Sequence, residues 1–552
     1  MEPHASTHIS LTRHLSDDIL NHCDVLVVGV GEEEAWSQSA HDVDARQGGW
    51  ITRGLASGAI STKRGDMALA PSPVAGGPDA ILVVGLGDPD LIDRGRAYEL
   101  GAMITRKLSD KPRAHVVISI ADQIAEESHD ALVCGAVTGC EGQSIYSSER
   151  SLHPPTKLSF ADIDDESIRQ GRIIGESVNL TRRLVNQPPN MIFPDSFARI
   201  ATDIAKEAGF SIEVWDEQRL AEERCRAILA VGGGSVHPPR LVIMQHRGGA
   251  EDDPVLAIVG KGITFDSGGL SIKPADGMVD MKCDMAGAAT VLSVMRAATM
   301  MNLPINVLGI CGLAENMISG SSYRVGDVIE TRAGVRIEIL NTDAEGRVVL
   351  ADALDVAIGH KPVAIVDLAT LTGACMVALG RDTVGLMTND SNLCDQIAAC
   401  AQTEGEWAWE LPMFSFFDEQ VKSKVADIKN IGDGRWGGAI TAAKFLERFV
   451  DQTPWVHMDI AGPAFAESPK PKGSGSGNCR CFRSSTNRSK ARSPTSRTSA
   501  TAAGAGRSPP RNSSNVSSTK PRGSTWTSPG PPSPNRPNRT ATLAGRGSWS
   551  GH

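Results

Sequence analysis

The sequence predicts an α/β protein with two α/β domains, a smaller N-terminal one and a larger C-terminal one whose mixed central sheet is flanked by helices. Three observations support this. Short β-branched runs alternate with helical patterns, a long helix stops at a Pro–Pro pair, and the composition changes abruptly after Lys472. These features predict an N-terminal domain at 1–165, a linker helix at 166–185, a second domain at 186–472 and a low-complexity tail at 473–552.

Three apolar runs of buried-strand length define the first domain, with a helix at Ala97–Lys107 between two of them. The runs are Asp24–Val30, Ala80–Leu86 and His115–Ile120. Their alternation with helices predicts a largely parallel sheet. Two of the runs end in Gly-x-Gly, but the third glycine of a dinucleotide fingerprint is missing, so tight turns are favoured over nucleotide binding.

The linker helix is predicted over Ile168–Asn186, where apolar residues recur at helical spacing. Pro188 and Pro189 follow and prevent the helix from continuing. We therefore place the domain boundary near residues 165–185.

The second domain is predicted to contain alternating helices and strands. Its helices are expected at Pro194–Gly209, Glu217–Glu222, Met285–Met301, Arg347–Ile358 and Gly437–Val450. Its strands are expected at Ser211–Trp215, Arg240–Gln245, Val255–Val259, Ile305–Cys311, Ala364–Leu368 and Trp455–Ile460, with Val335–Leu340 leading into the stretch NTDAEGR.

The tail differs in charge from the rest of the chain. Residues 473–552 contain 13 Lys or Arg and no Asp or Glu, which leaves 42 basic and 65 acidic residues in 1–472. The tail has too few large apolar residues to offset the entropy of ordering, so it is predicted to be disordered. The acidic body argues against nucleic acid as the main ligand.

The cysteine pattern and the N-terminus predict a soluble, cytoplasmic protein. The 11 cysteines include no CxxC pair, so neither a zinc ribbon nor a disulfide framework is indicated. The N-terminus lacks the features of a signal peptide. No apolar run approaches the roughly 18 residues that would span a membrane.

Two polar stretches carry the candidate chemistry. Val259–Ala289 is predicted to place Lys261, Asp266, Lys273 and Asp284 on Gly-rich loops, and Asn341–Arg347 adds the acids and the arginine of NTDAEGR. Clustered carboxylates repel one another and raise each other's pKa, whereas bound divalent cations keep them ionised. The cluster therefore predicts a metal site made largely of oxygen ligands.

The local sequence predicts which secondary-structure element carries each of these residues. Lys261 and Asp266 are predicted to follow the strand Val255–Val259 at its carboxyl end, where α/β sheets bind ligands. Asp284 directly precedes a long helix, where an anion is stabilised. Asp343, Glu345 and Arg347 are spaced by two, and in an extended segment that spacing would point all three to one side.

Each residue also has an ordinary interpretation. A single Asp before a helix is usually a cap, and a single Lys is usually a solvated surface group. Asp-Ala-Glu-Gly-Arg alone could be a polar turn with an ion pair. The joint pattern of four acids and three bases favours a site. Neither a G-x-S-x-G nucleophile elbow nor an HExxH zinc motif is present.

The two stretches resemble those of the leucyl aminopeptidase family, the cytosol aminopeptidases of peptidase family M17. NTDAEGR is the signature of that family, and VGKGITFDSGG with MKCDMAGAA is similar to its other metal-binding segment. The resemblance extends from Asn186-Gln-Pro-Pro-Asn190 through Asp459-Ile-Ala-Gly462 and includes Ala369-Thr-Leu-Thr-Gly373. It implies a metal-dependent aminopeptidase that releases N-terminal residues from peptides.

The resemblance also implies roles for individual residues. It implies two divalent ions per subunit, Mn²⁺ or Zn²⁺, with Asp266 and Glu345 shared between them. Lys261 and Asp284 would complete the tighter site, and Asp343 the more exchangeable one. The other implied positions are catalytic Lys273 and Arg347, with bicarbonate at Arg347, and substrate-lining Met281, Thr370, Leu371 and Gly373. Met281 implies a preference for Leu and other apolar residues, and the family's assembly implies a homohexamer.

The tail departs from the family. After Pro469-Lys-Pro-Lys-Gly473 the resemblance predicts a glycine-rich loop and an apolar helix, which are absent from the sequence. One hypothesis is frame-shifted translation of this end. The other is a genuine basic tail that binds nucleic acid, which leaves a DNA-binding or regulatory role as the alternative function. A two-metal phosphoesterase would also need the carboxylates, but it predicts neither NTDAEGR nor a lysine ligand.

Overall fold

The polypeptide forms two layered α/β domains in the computed structural model, which describes residues 9–14, 23–72, 77–434 and 436–465. The predicted fold class is confirmed. The tail at 473–552, with the predicted disorder and both hypotheses for its origin, lies outside the described residues. Among the helices that the structure describes, none is long and apolar enough to cross a membrane.

The N-terminal domain is built on a six-stranded sheet in the order β1-β6-β5-β2-β4-β3. All neighbouring strands are parallel except the edge strand β3, so the largely parallel sheet is confirmed. The strands are β1 Ser10–Arg13, β2 Val25–Gly31, β3 Met67–Pro71, β4 Ala80–Gly87, β5 His115–Ser119 and β6 Lys157–Phe160. The helices of this domain are α1 Gln38–Arg46, α2 Trp50–Ser57, α3 Arg94–Leu108 and α4 His129–Gly139.

The linker helix α5 spans Asp165–Asn186, three residues earlier at its start than the apolar spacing predicts. Asp164 explains the difference, because its carboxylate accepts hydrogen bonds from the backbone N–H groups of Glu166 and Ser167. Glycines let α5 pack closely on α4. A Cβ at Gly171 would lie 2.4 Å from the carbonyl oxygen of Asp130.

The second domain has an eight-stranded mixed sheet in the order β15-β14-β17-β13-β9-β10-β8-β7 and a small sheet in the order β11-β12-β16. The strands are β7 Ser211–Trp215, β8 Arg240–Arg247, β9 Val255–Asp266, β10 Asn306–Asn316, β11 Val328–Glu330, β12 Arg336–Glu338, β13 Ala364–Ala369, β14 Val384–Thr388, β15 Ala408–Glu410, β16 Ile428–Lys429 and β17 Trp455–Asp459.

Helices cover this sheet, and several begin beside the polar stretches. They are α6 Pro194–Ala208, α7 Glu217–Glu222, α8 Arg226–Gly232, α9 Ala275–Met278, α10 Ala286–Met300, α11 Glu345–Gly359, α12 Gly373–Leu379, α13 Ser391–Thr403, α14 Gly438–Leu446 and α15 Ala461–Ala464. Helices α10 and α11 are almost wholly buried. Their N-termini consequently meet the carboxyl end of β9 inside the protein.

The strand β9 corrects one sequence expectation. It was predicted to end at Val259, yet it continues to Asp266, so Lys261 lies within a strand and not on a loop. Strand β10 pairs with it along this whole length, whereas β13 pairs only as far as Gly260. Gly260 allows close packing here and makes no turn, because a Cβ there would lie 2.7 Å from Cα of Ala288.

A second correction concerns NTDAEGR. Asp343, Glu345 and Arg347 do not share one side of an extended segment, because α11 begins at Glu345. Asp343 lies in the turn before the helix and Arg347 in its first turn. The two acids still face one site, but they do so through a turn and a helix N-terminus and not through strand alternation.

Candidate metal and catalytic site

The predicted metal ligands converge where β9 extends beyond its neighbour β13. Lys261 and Asp266 come from β9, and Asp284 from the 3₁₀ turn Met281–Met285 that precedes α10. Asp343 and Glu345 come from the start of α11. Asp266, Asp343 and Glu345 each offer one oxygen, and these oxygens all lie within 4.8 Å of one another. The sequence expectation of a single cluster agrees with this geometry.

Lys261 is buried among the acids. Its Nζ lies 2.8 Å from Oδ1 of Asp284 and 3.0 Å from Oε1 of Glu345, and it donates to the carbonyl oxygen of Thr370. Gly346 makes room for it, since a Cβ there would lie 2.5 Å from Cε of Lys261. Burial lowers the pKa of Lys261, but the surrounding carboxylates outweigh it, so the pKa is raised above its ordinary value.

Lys273 joins the other two acids. Its Nζ lies 2.8 Å from Oδ2 of Asp266 and 2.6 Å from Oδ1 of Asp343. The second oxygen of Asp266 accepts hydrogen bonds from the backbone N–H of Gly268 and from Nδ2 of Asn316, both at 2.8 Å. Gly268 has a φ of +85°, which permits the turn that presents this N–H group. Asp266 is therefore held firmly from two directions.

The acids carry more negative charge than the lysines neutralise. Burial is the largest cause that raises the pKa of Asp284 and of Glu345, and the nearby Asp266 carboxylate raises both further. Oδ2 of Asp284 and Oε2 of Glu345 are buried and have no hydrogen-bond partner among the described residues. Buried unpaired carboxylate oxygens are costly unless a cation completes them. The donor set thus fits divalent metal ions.

The loop that carries Asp343 is tied to the loop after β9. Oγ1 of Thr342 donates to the carbonyl oxygen of Gly268 at 2.7 Å and accepts from the N–H of Ser271 at 2.8 Å. Nδ2 of Asn316 and the hydroxyl of Tyr323 both donate to the carbonyl oxygen of Thr342. Asn316 and Tyr323 were not among the site residues predicted from the sequence. They lie far from both motifs in the chain and carry no signal that marks their role.

Arg347 is buried, with 8% of its surface exposed. Burial lowers its pKa to about 10, so the guanidinium remains charged at neutral pH. Its Nη1 donates to the carbonyl oxygen of Asn430 at 2.9 Å, and its Nε has no hydrogen-bond partner among the described residues. A buried guanidinium with a free donor can bind an anion.

The predicted substrate residues occupy two places. Thr370 and Leu371 lie between β13 and α12, and Gly373 is the first residue of α12. Oγ1 of Thr370 donates to Oδ1 of Asp284 at 2.7 Å, so this segment contacts the acid cluster directly. Met281 is half-buried at the start of the 3₁₀ turn that carries Asp284. The structure shows where these side chains lie, and their contact with substrate stays a prediction.

Asp459, at the end of β17, holds the Thr370 segment. Its carboxylate accepts hydrogen bonds from Oγ1 of Thr372 at 2.7 Å and from the N–H of Leu371 at 3.3 Å. It is fully buried. The segment beside the acid cluster is therefore held by the end of β17, a strand distant in sequence.

Comparisons with known proteins agree in both domains. Residues 179–483 match the family model described as cytosol aminopeptidase family, catalytic domain, and residues 27–150 match that of its N-terminal domain. A probable cytosol aminopeptidase of Rhodopirellula baltica is 58% identical over 420 residues, which cover 76% of this chain and 82% of that protein. One of Persephonella marina is 40% identical over 449 residues, covering 78% and 89%.

Solved structures show the same likeness. A mutant of tomato leucine aminopeptidase aligns with a TM-score of 0.75 and 31% identity, over 84% of this chain and 94% of that one. The bottromycin maturation enzyme BotP, in complex with Mn, aligns with a TM-score of 0.72 and 33% identity, over 83% and 96%.

Proposed function

The chain belongs to the cytosol aminopeptidase family, and on that premise we propose that it is a metal-dependent aminopeptidase that releases N-terminal Leu and other apolar residues from peptides. One observation carries the proposal. Four buried or half-buried carboxylates share two lysines, and two of their buried oxygens remain unpaired among the described residues.

The residues that would hold two Mn²⁺ or Zn²⁺ ions are those of the cluster. Asp266 and Glu345 would contact both ions, Lys261 and Asp284 one of them, and Asp343 the other. When bound, the ions would supply Lewis-acid polarisation of the scissile carbonyl and of the attacking water. Lys261 can act as a ligand only as a neutral amine, so it would release its proton when the site is loaded.

Lys273 and Arg347 would act on the substrate as cations. The Lys273 ammonium would stabilise the negative charge that develops on the carbonyl oxygen in the transition state. It is suitably placed, because its side chain is 17% exposed while its Nζ lies among the acids. Arg347 would hold a bicarbonate, which would supply a group for proton transfer beside the leaving amine. The free Nε of Arg347 supports this role.

Met281 would line the pocket for the first side chain, and Thr370, Leu371 and Gly373 would line the substrate and bicarbonate region. Leu371 packs against the main hydrophobic core of this domain, so the segment is closely packed and should deform little. The apolar side chain of Met281 would favour an apolar N-terminal residue. We further propose a homohexamer in the cytoplasm. The alternative of a nucleic-acid-binding tail rests on residues 473–552, which lie outside the described part of the chain.

A paired-substrate assay tests the aminopeptidase activity. Leucine amide should be hydrolysed, and N-acetyl-leucine amide should not, because the free amine is expected to contact the acid cluster and the acetyl group blocks it. Glutamate amide should be hydrolysed at least about tenfold more slowly than leucine amide, since its charge would be buried in an apolar pocket. Equal cleavage of the free and acetylated substrates would contradict an aminopeptidase.

A further inference from the structure

Asn430, the residue after β16, lies against the loop that carries Asp343. Its Nδ2 donates to the carbonyl oxygen of Asn341 at 2.6 Å, and its Oδ1 accepts from the backbone N–H groups of Leu340 and Asn341 at 2.9 and 3.3 Å. Oδ1 of Asn341 in turn accepts from the N–H of Asp343 at 2.9 Å. A single carboxamide therefore makes three hydrogen bonds to the start of this loop.

The backbone of Asn430 contacts the helix that follows this loop. Its carbonyl oxygen accepts the hydrogen bond from Nη1 of Arg347, and its own N–H donates to the carbonyl oxygen of Glu338 in β12. Asn430 thus contacts the chain before Asp343 through its side chain and the chain after it through its main chain. No other described residue is bonded to both Asn341 and Arg347.

We propose that Asn430 is a positioning residue that holds the Asp343 loop and the Arg347 guanidinium at a fixed distance from each other. This proposal rests on the proposed function, because it assigns the two groups to one reaction. Asp343 would contact only one of the two ions. Movement of its loop should therefore weaken the position that Asp343 completes more than the position that Lys261 and Asp284 complete.

Only asparagine meets the requirements at this position. The side chain must donate to one backbone group and accept from two others, and it is fully buried, so water cannot replace a missing partner. Alanine would remove all three hydrogen bonds. Aspartate keeps the shape but places a negative charge against the carbonyl oxygen of Asn341, so it would repel that group.

Asn306 provides a matched control. It is also buried, its Nδ2 donates to the carbonyl oxygens of Ala250 and Asp253, and its Oδ1 accepts from the N–H of Gly249. It is the first residue of β10, whose last residue, Asn316, touches the site. Along the strand, Asn306 and Asn316 are separated by about 33 Å. Asn306→Ala therefore removes similar hydrogen bonds far from the ions.

The test titrates Mn²⁺ into the full chain and into Asn430→Ala, Asn430→Asp and Asn306→Ala, following free Mn²⁺ by electron paramagnetic resonance. We expect both Asn430 variants to weaken one class of bound ion by about 10- to 100-fold, the range for residues that orient a ligand. The other class should weaken clearly less. Asn306→Ala should bind both ions as the unsubstituted chain does, even where its melting temperature falls.

The rate of leucine amide hydrolysis tests the second part of the proposal, the position of Arg347. With Mn²⁺ at saturation, both Asn430 variants should lower kcat for leucine amide more than they raise KM, because Arg347 would act on the leaving group. Binding and kinetics indistinguishable from those of Asn306→Ala would overturn the proposal, as would equal weakening of both ions. Failure of both Asn430 variants to fold would make the residue structural and would also overturn it. No Mn²⁺ binding by the unsubstituted chain would instead refute the proposed function.

Discussion

Glu345→Gln is expected to lower kcat/KM for leucine amide by roughly a thousandfold or more, the cost of losing several kcal/mol of transition-state stabilisation. Glu345 faces Lys261 with one oxygen at 3.0 Å and leaves the other unpaired among the described residues. An amide keeps the shape but removes the charge that two cations would share. Both classes of bound Mn²⁺ should therefore weaken together in the titration.

The stability of the metal-free protein separates this effect from misfolding. Burial raises the pKa of Glu345, so its charge is costly in the folded chain, and the amide should not lower the melting temperature. Asp352→Asn is the matched control on the same helix. The Asp352 carboxylate is fully buried and accepts from the N–H groups of Ala227, Ile228 and Arg332. Both of its oxygens accept from backbone N–H groups, so an amide NH2 would face a donor, and the substitution should lower the melting temperature while leaving Mn²⁺ binding intact. A Glu345→Gln protein that melts at a lower temperature but binds Mn²⁺ normally would refute the role of Glu345.

Lys273→Ala is expected to lower kcat by about 10²- to 10³-fold, the usual cost of removing one donor that stabilises a developing oxyanion. Binding of Mn²⁺ should not weaken. Nζ of Lys273 lies 2.8 Å from Asp266 and 2.6 Å from Asp343, so its ammonium would compete with the ions for the same oxygens. If Lys273 is a catalytic cation, its removal should not weaken the affinity for Mn²⁺. If it is a metal ligand, its removal should weaken that affinity.

Two variants control this result. Lys273→Arg keeps the charge and should recover part of kcat. Lys282→Ala removes a nearby lysine whose Nζ donates to the backbone carbonyl of Asn186 and contacts no acid of the cluster, so it should leave kcat unchanged. Weaker Mn²⁺ binding in Lys273→Ala would make Lys273 a ligand and contradict its assigned role.

Short-range patterns predicted much of the fold. Helix α7 and strand β7 have their predicted bounds, and the cap of α7, Asp216, directly precedes the helix in the sequence. The length of β9 could not be predicted, since it depends on pairing with β10, a strand some 50 residues further along the chain. Strands β14 and β15 and helix α13 received no prediction. Their burial depends on β17 and on neighbours distant in sequence.

The site also divides into residues that local patterns predicted and residues that only contacts between distant strands bring in. The residues proposed as ligands belong to two continuous motifs, so residue type and spacing were sufficient to find them. Asn316, Asn430 and Asp459 come from three other strands or their ends, and each holds a motif through backbone groups. Such contacts are created by sheet order and register, which a single sequence does not encode locally.

The most direct test of the central claim is hydrolysis of leucine anilide by the full chain, first after treatment with a chelator and then with Mn²⁺ or Zn²⁺ restored. Asp343→Ala serves as the comparison, because it removes one acid of the cluster. We predict no hydrolysis after chelation, recovery with either ion, and little recovery in Asp343→Ala. Hydrolysis that survives complete removal of metal, or that Asp343→Ala leaves unchanged, would contradict a metal-dependent aminopeptidase at this site.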